Sequence, residues 1–255
     1  MRLLTAGVLL LSTVALADLT LVNEAIAGGK KRLVTLSAKG SKAYFEMKEA
    51  DGPTRNMLRD GEAKKLFIID HPKKMVLVIT EQDSKQVAEK QEALKAELLA
   101  QLAKMPPEQR ARMESNMLAQ AEGKLPVYTY EKKKLPARKV SGFSCEDYAI
   151  KRDGQPAGEG CFATWKDMGI SAAEFKSTML KAMPSQPGSP MGQGFDVADS
   201  APGFPVWRSH ANPEGVVTAE TTLKSISRTA VAAENFELPK GYTEKSMAEG
   251  MRPTK

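Results

Sequence analysis

The chain has 255 residues but only two histidines and two cysteines, and no apolar run long enough to cross a bilayer. Each scarcity excludes a class of function. His71 stands in a turn and His210 in an alternating run, and neither has a cysteine or a second histidine beside it at zinc-ligand spacing. Cys145 and Cys161 are too far apart for the close Cys-x-x-Cys pair of a redox-active dithiol. Ser144 sits in Gly142-Phe143-Ser144-Cys145-Glu146, which lacks the second glycine of a nucleophile elbow and lies in a β run. Gly192-Gln193-Gly194 has neither the rest of a phosphate-binding fingerprint nor a βαβ context. The expectation is a protein that is not an enzyme, with no resident metal and no cofactor.

Charge of a single sign is also missing. Lys and Arg number 37 against 31 Asp and Glu, a formal +6, but the two signs alternate along nearly the whole chain, which reads as a solvated surface. The one dense basic stretch, Lys132-Lys133-Lys134 with Arg138 and Lys139, suits solubility or anionic lipid headgroups.

What is present begins with an export pattern. Arg2, an apolar stretch from Leu3 through Leu16 and small residues at Ala15 and Ala17 read as a secretory signal over residues 1–17, cleaved before Asp18. Neither cysteine is near the cleavage point, so no N-terminal lipid anchor is expected. The expected address is the periplasm, with no membrane span after cleavage and no nucleic-acid partner. In that oxidising compartment Cys145 and Cys161 are expected to pair across a hairpin turning at Asp153-Gly154-Gln155-Pro156-Ala157-Gly158.

Two-residue periodicity dominates the chain. Leu19 and Leu21 alternate with Thr20 and Val22. After Gly28-Gly29 comes Leu33-Val34-Thr35-Leu36. Ala43, Phe45 and Met47 then point one way while Tyr44, Glu46 and Lys48 point the other. Leu66 to Ile69 and Met75 to Ile79 flank a turn at Asp70 to Lys74. The period lengthens between Glu81 and Ala121, where Val87, Leu94, Leu98, Leu102 and Met105 mark one helix and Met113, Met117 and Leu118 a second beyond Pro106-Pro107. A helical hairpin inserted over about residues 83–121 is the result. Strands resume at Val127 and run on through Val140 to Ile150 and Cys161 to Trp165. Ser171-Ala172-Ala173-Glu174 opens a short helix through Met183. Residues 184–205, rich in Pro, Gly and Ser, read as a mobile loop. Val206 to Ala211 and Val216 to Thr229 read as strands, and the tail after Gly241-Tyr242, above all residues 246–255, as frayed. The expected fold is α+β, mainly antiparallel β: a curved sheet or half-open barrel capped by helices, one domain over residues 18–245.

Three stretches carry a resemblance. They are Gly40-Ser41-Lys42-Ala43-Tyr44-Phe45-Glu46-Met47 running on to Leu66-Phe67-Ile68-Ile69-Asp70-His71-Pro72-Lys73-Lys74-Met75, then Val140-Ser141-Gly142-Phe143-Ser144-Cys145-Glu146-Asp147-Tyr148, then Phe236-Glu237-Leu238-Pro239-Lys240-Gly241-Tyr242. In this order they resemble a bacterial family of secreted domains of unknown function, DUF4412, itself similar to the LolA-like periplasmic lipoprotein-carrier fold. The resemblance implies a half-open barrel whose apolar hollow, capped by helices, holds acyl chains. It implies no reaction.

The expected ligand is therefore a lipid or other hydrophobic molecule. The side chains placed around it are Phe45, Phe67, Leu98, Leu102, Met113, Met117, Trp165 and Met179, each of which packs equally well in an ordinary core. Thioethers suit an adaptable pocket, and Met113 with Met117, or Met179 with Met183, also have the spacing of a soft-metal pair. Met105, Met113, Met117, Met168, Met179, Met183 and Met191 fall in the helices and loop expected to form a lid, and the competing reading is an envelope protein, metal-stress sensors included, that docks on a partner protein through the helical hairpin and this Met-rich lid.

Overall fold

The structure, a computed structural model, describes residues 18–50, 52–104, 127–182, 200–212 and 214–250. Six strands come first, each antiparallel to the one before it: β1 (Leu19–Ala27), β2 (Lys30–Lys39), β3 (Lys42–Glu49), β4 (Arg55–Asp60), β5 (Lys65–Asp70) and β6 (Met75–Thr80). Tight turns make this meander. At Gly28-Gly29 both residues have positive φ (56° and 74°), the geometry whose twist matches that of the flanking strands. Helix α1 (Glu81–Leu102) follows directly. Its start is a reciprocal cap: the Asp83 amide donates to Thr80 Oγ1 (3.2 Å) and the Thr80 amide to Asp83 Oδ2 (2.8 Å).

The second half supplies β7 (Tyr128–Lys132), β8 (Arg138–Val140), β9 (Phe143–Arg152) and β10 (Gln155–Ala163), then helix α2 (Ala172–Ala182), β11 (Phe204–Ala211) and β12 (Val217–Ser227). A short 3-10 turn (Ala233–Phe236), β13 (Thr243–Ser246) and the brief helix α3 (Met247–Gly250) end it. Ser171 caps α2 by accepting from the Glu174 amide at 3.1 Å.

These strands form one curved sheet in the order β13-β6-β5-β4-β3-β2-β1-β12-β11-β10-β9-β7, with β8 paired to β9. Its two end strands do not meet, so the sheet is unclosed. The pairing slips at Val22/Asn23, Pro156/Gly158, Cys161/Phe162 and His210/Ala211, and such bulges sharpen local twist. β1 is the seam between the halves, hydrogen-bonded to β2 on one side and to β12 on the other.

One face carries the main core. Leu19, Leu21, Leu36, Phe45, Val206 and Leu223 are buried there beneath Met168, Ile170 and Phe175, the last from α2. Trp165, Phe175 and Phe204 pack ring against ring at 5.2 to 5.8 Å. Leu21 and Leu36 are fully buried, and such side chains contribute roughly 1.5–3 kcal/mol each. The opposite face has its own smaller cluster, in which Val231, Phe236 and Leu238 cover Leu58, Tyr44 and Phe67. Polar clasps fix this covering segment: Asp18 Oδ2 accepts from the Val231 amide at 2.7 Å, and Lys39 Nζ donates to the Val231 carbonyl at 2.9 Å.

The mainly antiparallel reading holds, with specific corrections. The tail expected to fray instead forms β13, parallel to β6 and making the sheet mixed, and Ser246 to Gly250 are ordered as strand end and helix. This end is anchored by a side-chain relay in which Asn56 Nδ2 bonds His71 Nε2 (2.8 Å) and His71 Nδ1 bonds Tyr242 Oη (2.7 Å). Phe204 and Pro205, expected in the mobile loop, begin β11. Of the expected helical hairpin, the first limb is α1; the second limb, the signal over residues 1–17, most of the loop at 184–205 and residues 251–255 lie outside the described residues.

Candidate functional site

Residues paired directly across an antiparallel ladder share a face, so register sorts the side chains of the meander. One rung runs Leu21, Leu36, Phe45, Met57, Ile68, Leu77 across β1 to β6. Its first three members are buried in the main core. Met57, Ile68 and Leu77 are half-buried, on the same face but beyond β2 and β3, the strands that α2 contacts. The next rung adds Ala43, Arg59, Leu66 and Ile79. The core surface thus continues outward as an apolar shelf on β4 to β6, with Arg59 set in it and the exposed Arg55 at the other end of β4 on the same face. Arg59 Nε is buried without a hydrogen-bond partner, and burial holds its guanidinium below the usual arginine range against the opposing pull of Asp60 and Glu81.

The alternate rung, Tyr44, Leu58, Phe67 and Val78, faces the other way, under Val231 and Phe236. This parity corrects one expectation: Phe45 and Phe67 lie on opposite sides of the sheet and cannot line a single cavity. Phe45 and Trp165 do come together, as parts of the main core cluster. Leu102 is buried at the end of α1. Leu98 and Met179 belong to α1 and α2, but their side chains lie outside the described residues, as do Met113 and Met117 entirely. Met57, Ile68, Leu77 and Arg59 are not among the side chains expected around a ligand. The signal that finds them is strand parity counted through two hairpins from Phe45.

Cys145 on β9 and Cys161 on β10 are joined by a disulfide with their Cα atoms 5.4 Å apart, both sulfurs inside the main core. The connecting hairpin turns at Asp153-Gly154, both at positive φ (51° and 80°). Among the described residues there is no cluster of three or more His, Cys, Asp or Glu able to hold a metal, and no helix is long and apolar enough to cross a membrane.

A family model, that of the domain of unknown function DUF4412, matches residues 94–242, more than half of the chain. The chain belongs to the DUF4412 family. The match spans the second and third of the motif stretches, from Val140 and from Phe236, while β1 to β6 precede it. No functionally curated protein matches this DUF4412 chain. Among solved structures it is similar to an uncharacterized conserved protein from Thermus thermophilus, with 9% identity, 90% of each chain covered and a TM-score of 0.46. It is also similar to MucB in the MucA/MucB complex of Pseudomonas aeruginosa, with 11% identity and a TM-score of 0.40, covering 87% of this chain and 56% of that one. A crystal structure of MucB gives 10% identity and a TM-score of 0.39 over 89% and 59% of the two chains. The DUF4412 chain therefore spans little more than half of the MucB chains.

Proposed function

We propose that this DUF4412 chain is a non-catalytic, extracytoplasmic binding module that holds an acyl chain or similar hydrophobic ligand against the apolar shelf of β4 to β6. The observation that carries this reading is the rung Phe45, Met57, Ile68, Leu77, whose outer members are large and apolar yet only half-buried. Covering them is favourable for any apolar occupant. Each methylene removed from water contributes about 0.8 kcal/mol, so ten of them supply roughly 8 kcal/mol before ordering costs. That gross figure alone corresponds to a Kd of about 1 μM, and the ordering costs make the net affinity for such a chain weaker than micromolar. Arg59, with its unsatisfied Nε beside Leu66, suits a ligand whose apolar part ends in an anionic or carbonyl group. The buried disulfide supports an oxidising compartment.

Solvent extraction of the purified protein followed by mass spectrometry, together with titration of a fluorescent fatty acid, tests the reading. Co-purified lipid, or saturable binding that Ile68→Glu weakens at least tenfold, is the expected result. Repeated absence of both lipid and probe binding overturns it.

A further inference from the structure

Arg208, on β11, is a buried charge whose Nε has no hydrogen-bond partner. Its register partners are Gly160 on β10 and Thr221 on β12, and the rung continues to Ala25 on β1, so small residues flank it on both sides. The residue is only 8% exposed. Its guanidinium lies over the Tyr128 ring, 5.5 Å from the centroid. Among the described residues no carboxylate pairs with it. Of the acids on nearby strands, Glu146, Asp147 and Glu159 pair with Lys132, Arg138 and Lys133, and Glu220 on β12 stands opposite Ser209, on the other face of the ladder from Arg208 and Thr221.

Arg138 makes the contrast plain. It too lies over an aromatic ring, that of Trp207 at 5.2 Å, but it also forks onto Asp147 through Nε and Nη2 at 2.9 to 3.1 Å. Arg208 has the ring without the acid. A buried guanidinium with nothing to neutralise it is a standing penalty on the fold, because the lost hydration of the ion is not replaced. One oxyanion laid against Nε and an Nη would replace it through two parallel charge-assisted hydrogen bonds, the geometry that guanidinium offers carboxylates and phosphates. His210, two residues along the strand, is half-buried, and its imidazole is held neutral at pH 7 by burial and by the charge of Arg208, so its ring N–H is a further donor that brings no second full charge.

We propose that Arg208 is the anchor of a binding site for a single oxyanion group, a carboxylate or a phosphate, with Tyr128 beneath it and His210 beside it. This inference stands independently of the shelf on β4 to β6. The same group occurs on a free anion, on an acyl chain and on a lipid head.

Thermal unfolding of the oxidised full chain at fixed ionic strength, with sodium phosphate or sodium octanoate exchanged for chloride, separates these sources. A saturable rise in Tm with either anion is expected. A rise with phosphate alone assigns a phosphate, and one with octanoate alone an acyl carboxylate; the phosphate arm contains no apolar chain, so its outcome does not depend on the shelf. Arg208→Met should weaken the apparent affinity at least tenfold while leaving the anion-free Tm unchanged or higher. Arg208→Lys, which keeps the charge without the fork, gives an intermediate affinity and serves if Arg208→Met does not fold. Absence of a saturable rise in the wild type, or an equal rise in the Arg208 variants, overturns the proposal.

Discussion

Reducing the Cys145–Cys161 bond should cost this protein about 3 kcal/mol of stability. The crosslinked cysteines are 16 residues apart in sequence, and tying such a loop removes roughly 10 cal/mol/K of entropy from the unfolded chain, or about 3 kcal/mol at 25 °C. For a chain of this length that is a fall in Tm of about 6–12 °C. Comparison of oxidised and reduced wild type isolates the crosslink, because both keep their buried sulfurs. Cys145→Ala/Cys161→Ala removes the sulfurs as well and should lose about 1 kcal/mol more, since the two cysteines are 2% and 0% exposed and are packed on every side. Urea unfolding followed by tryptophan fluorescence is the assay. The denaturant slope should rise on reduction, because the unlinked chain exposes more surface. A difference between oxidised and reduced protein below about 0.5 kcal/mol would refute the reasoning: the β9–β10 hairpin would then persist in the unfolded state, leaving the bond nothing to constrain.

Phe67 and Ile68 are sequence neighbours on opposite faces, and their substitutions should separate stability from binding. Phe67→Ala is expected to cost about 2–3 kcal/mol and to leave fatty-acid binding intact, whereas Ile68→Glu should do the reverse; equal effects on both readouts would discard the face assignment. Burial, and secondarily the Arg208 charge, lowers the His210 pKa from 6.5 to about 4. The unfolded state therefore binds the proton first, and stability falls as pH drops from about 6.5 to 4, by at most about 2 kcal/mol once partial exposure is discounted. The difference in Tm between wild type and His210→Gln should follow that window, and a flat difference would contradict it. Gly158→Ala sets a Cβ against the Ser209 carbonyl at a φ of +125°, and a loss of at least about 2 kcal/mol in denaturant unfolding is expected; a loss within about 0.5 kcal/mol would show that the two strands separate freely there.

The meander was legible because its information is local. Alternation at Ala43, Phe45 and Met47, and turn residues at Gly28-Gly29 and Asp70 to Lys74, fix strands and hairpins without reference to distant chain. β13 was not legible, since Thr-Glu-Lys-Ser has no apolar alternation and acquires its strand conformation by adding to the edge of β6. The misplacement of Phe67 came from treating large apolar residues as interchangeable, when odd and even positions of β5 serve different faces. Arg208 lay beyond linear reading for another reason. Its small neighbours come from β10, β12 and β1, and only the assembled register places Gly160, Thr221 and Ala25 in line with it.

The seam at β1 governs when the protein can exist at all. β1 pairs with β12, about 200 residues away in sequence, whereas the meander and the β9–β10 hairpin close over short loops, so contact order divides assembly into two early pieces and one late junction. Until β12 has been synthesised, the first strand offers an unpaired edge and Leu19 and Leu21 lack their neighbours Leu223 and Ile226. A chain delivered from its N-terminus would wait in that half-made state for nearly its whole passage, which makes the interval before β12 arrives the time of greatest need for a chaperone.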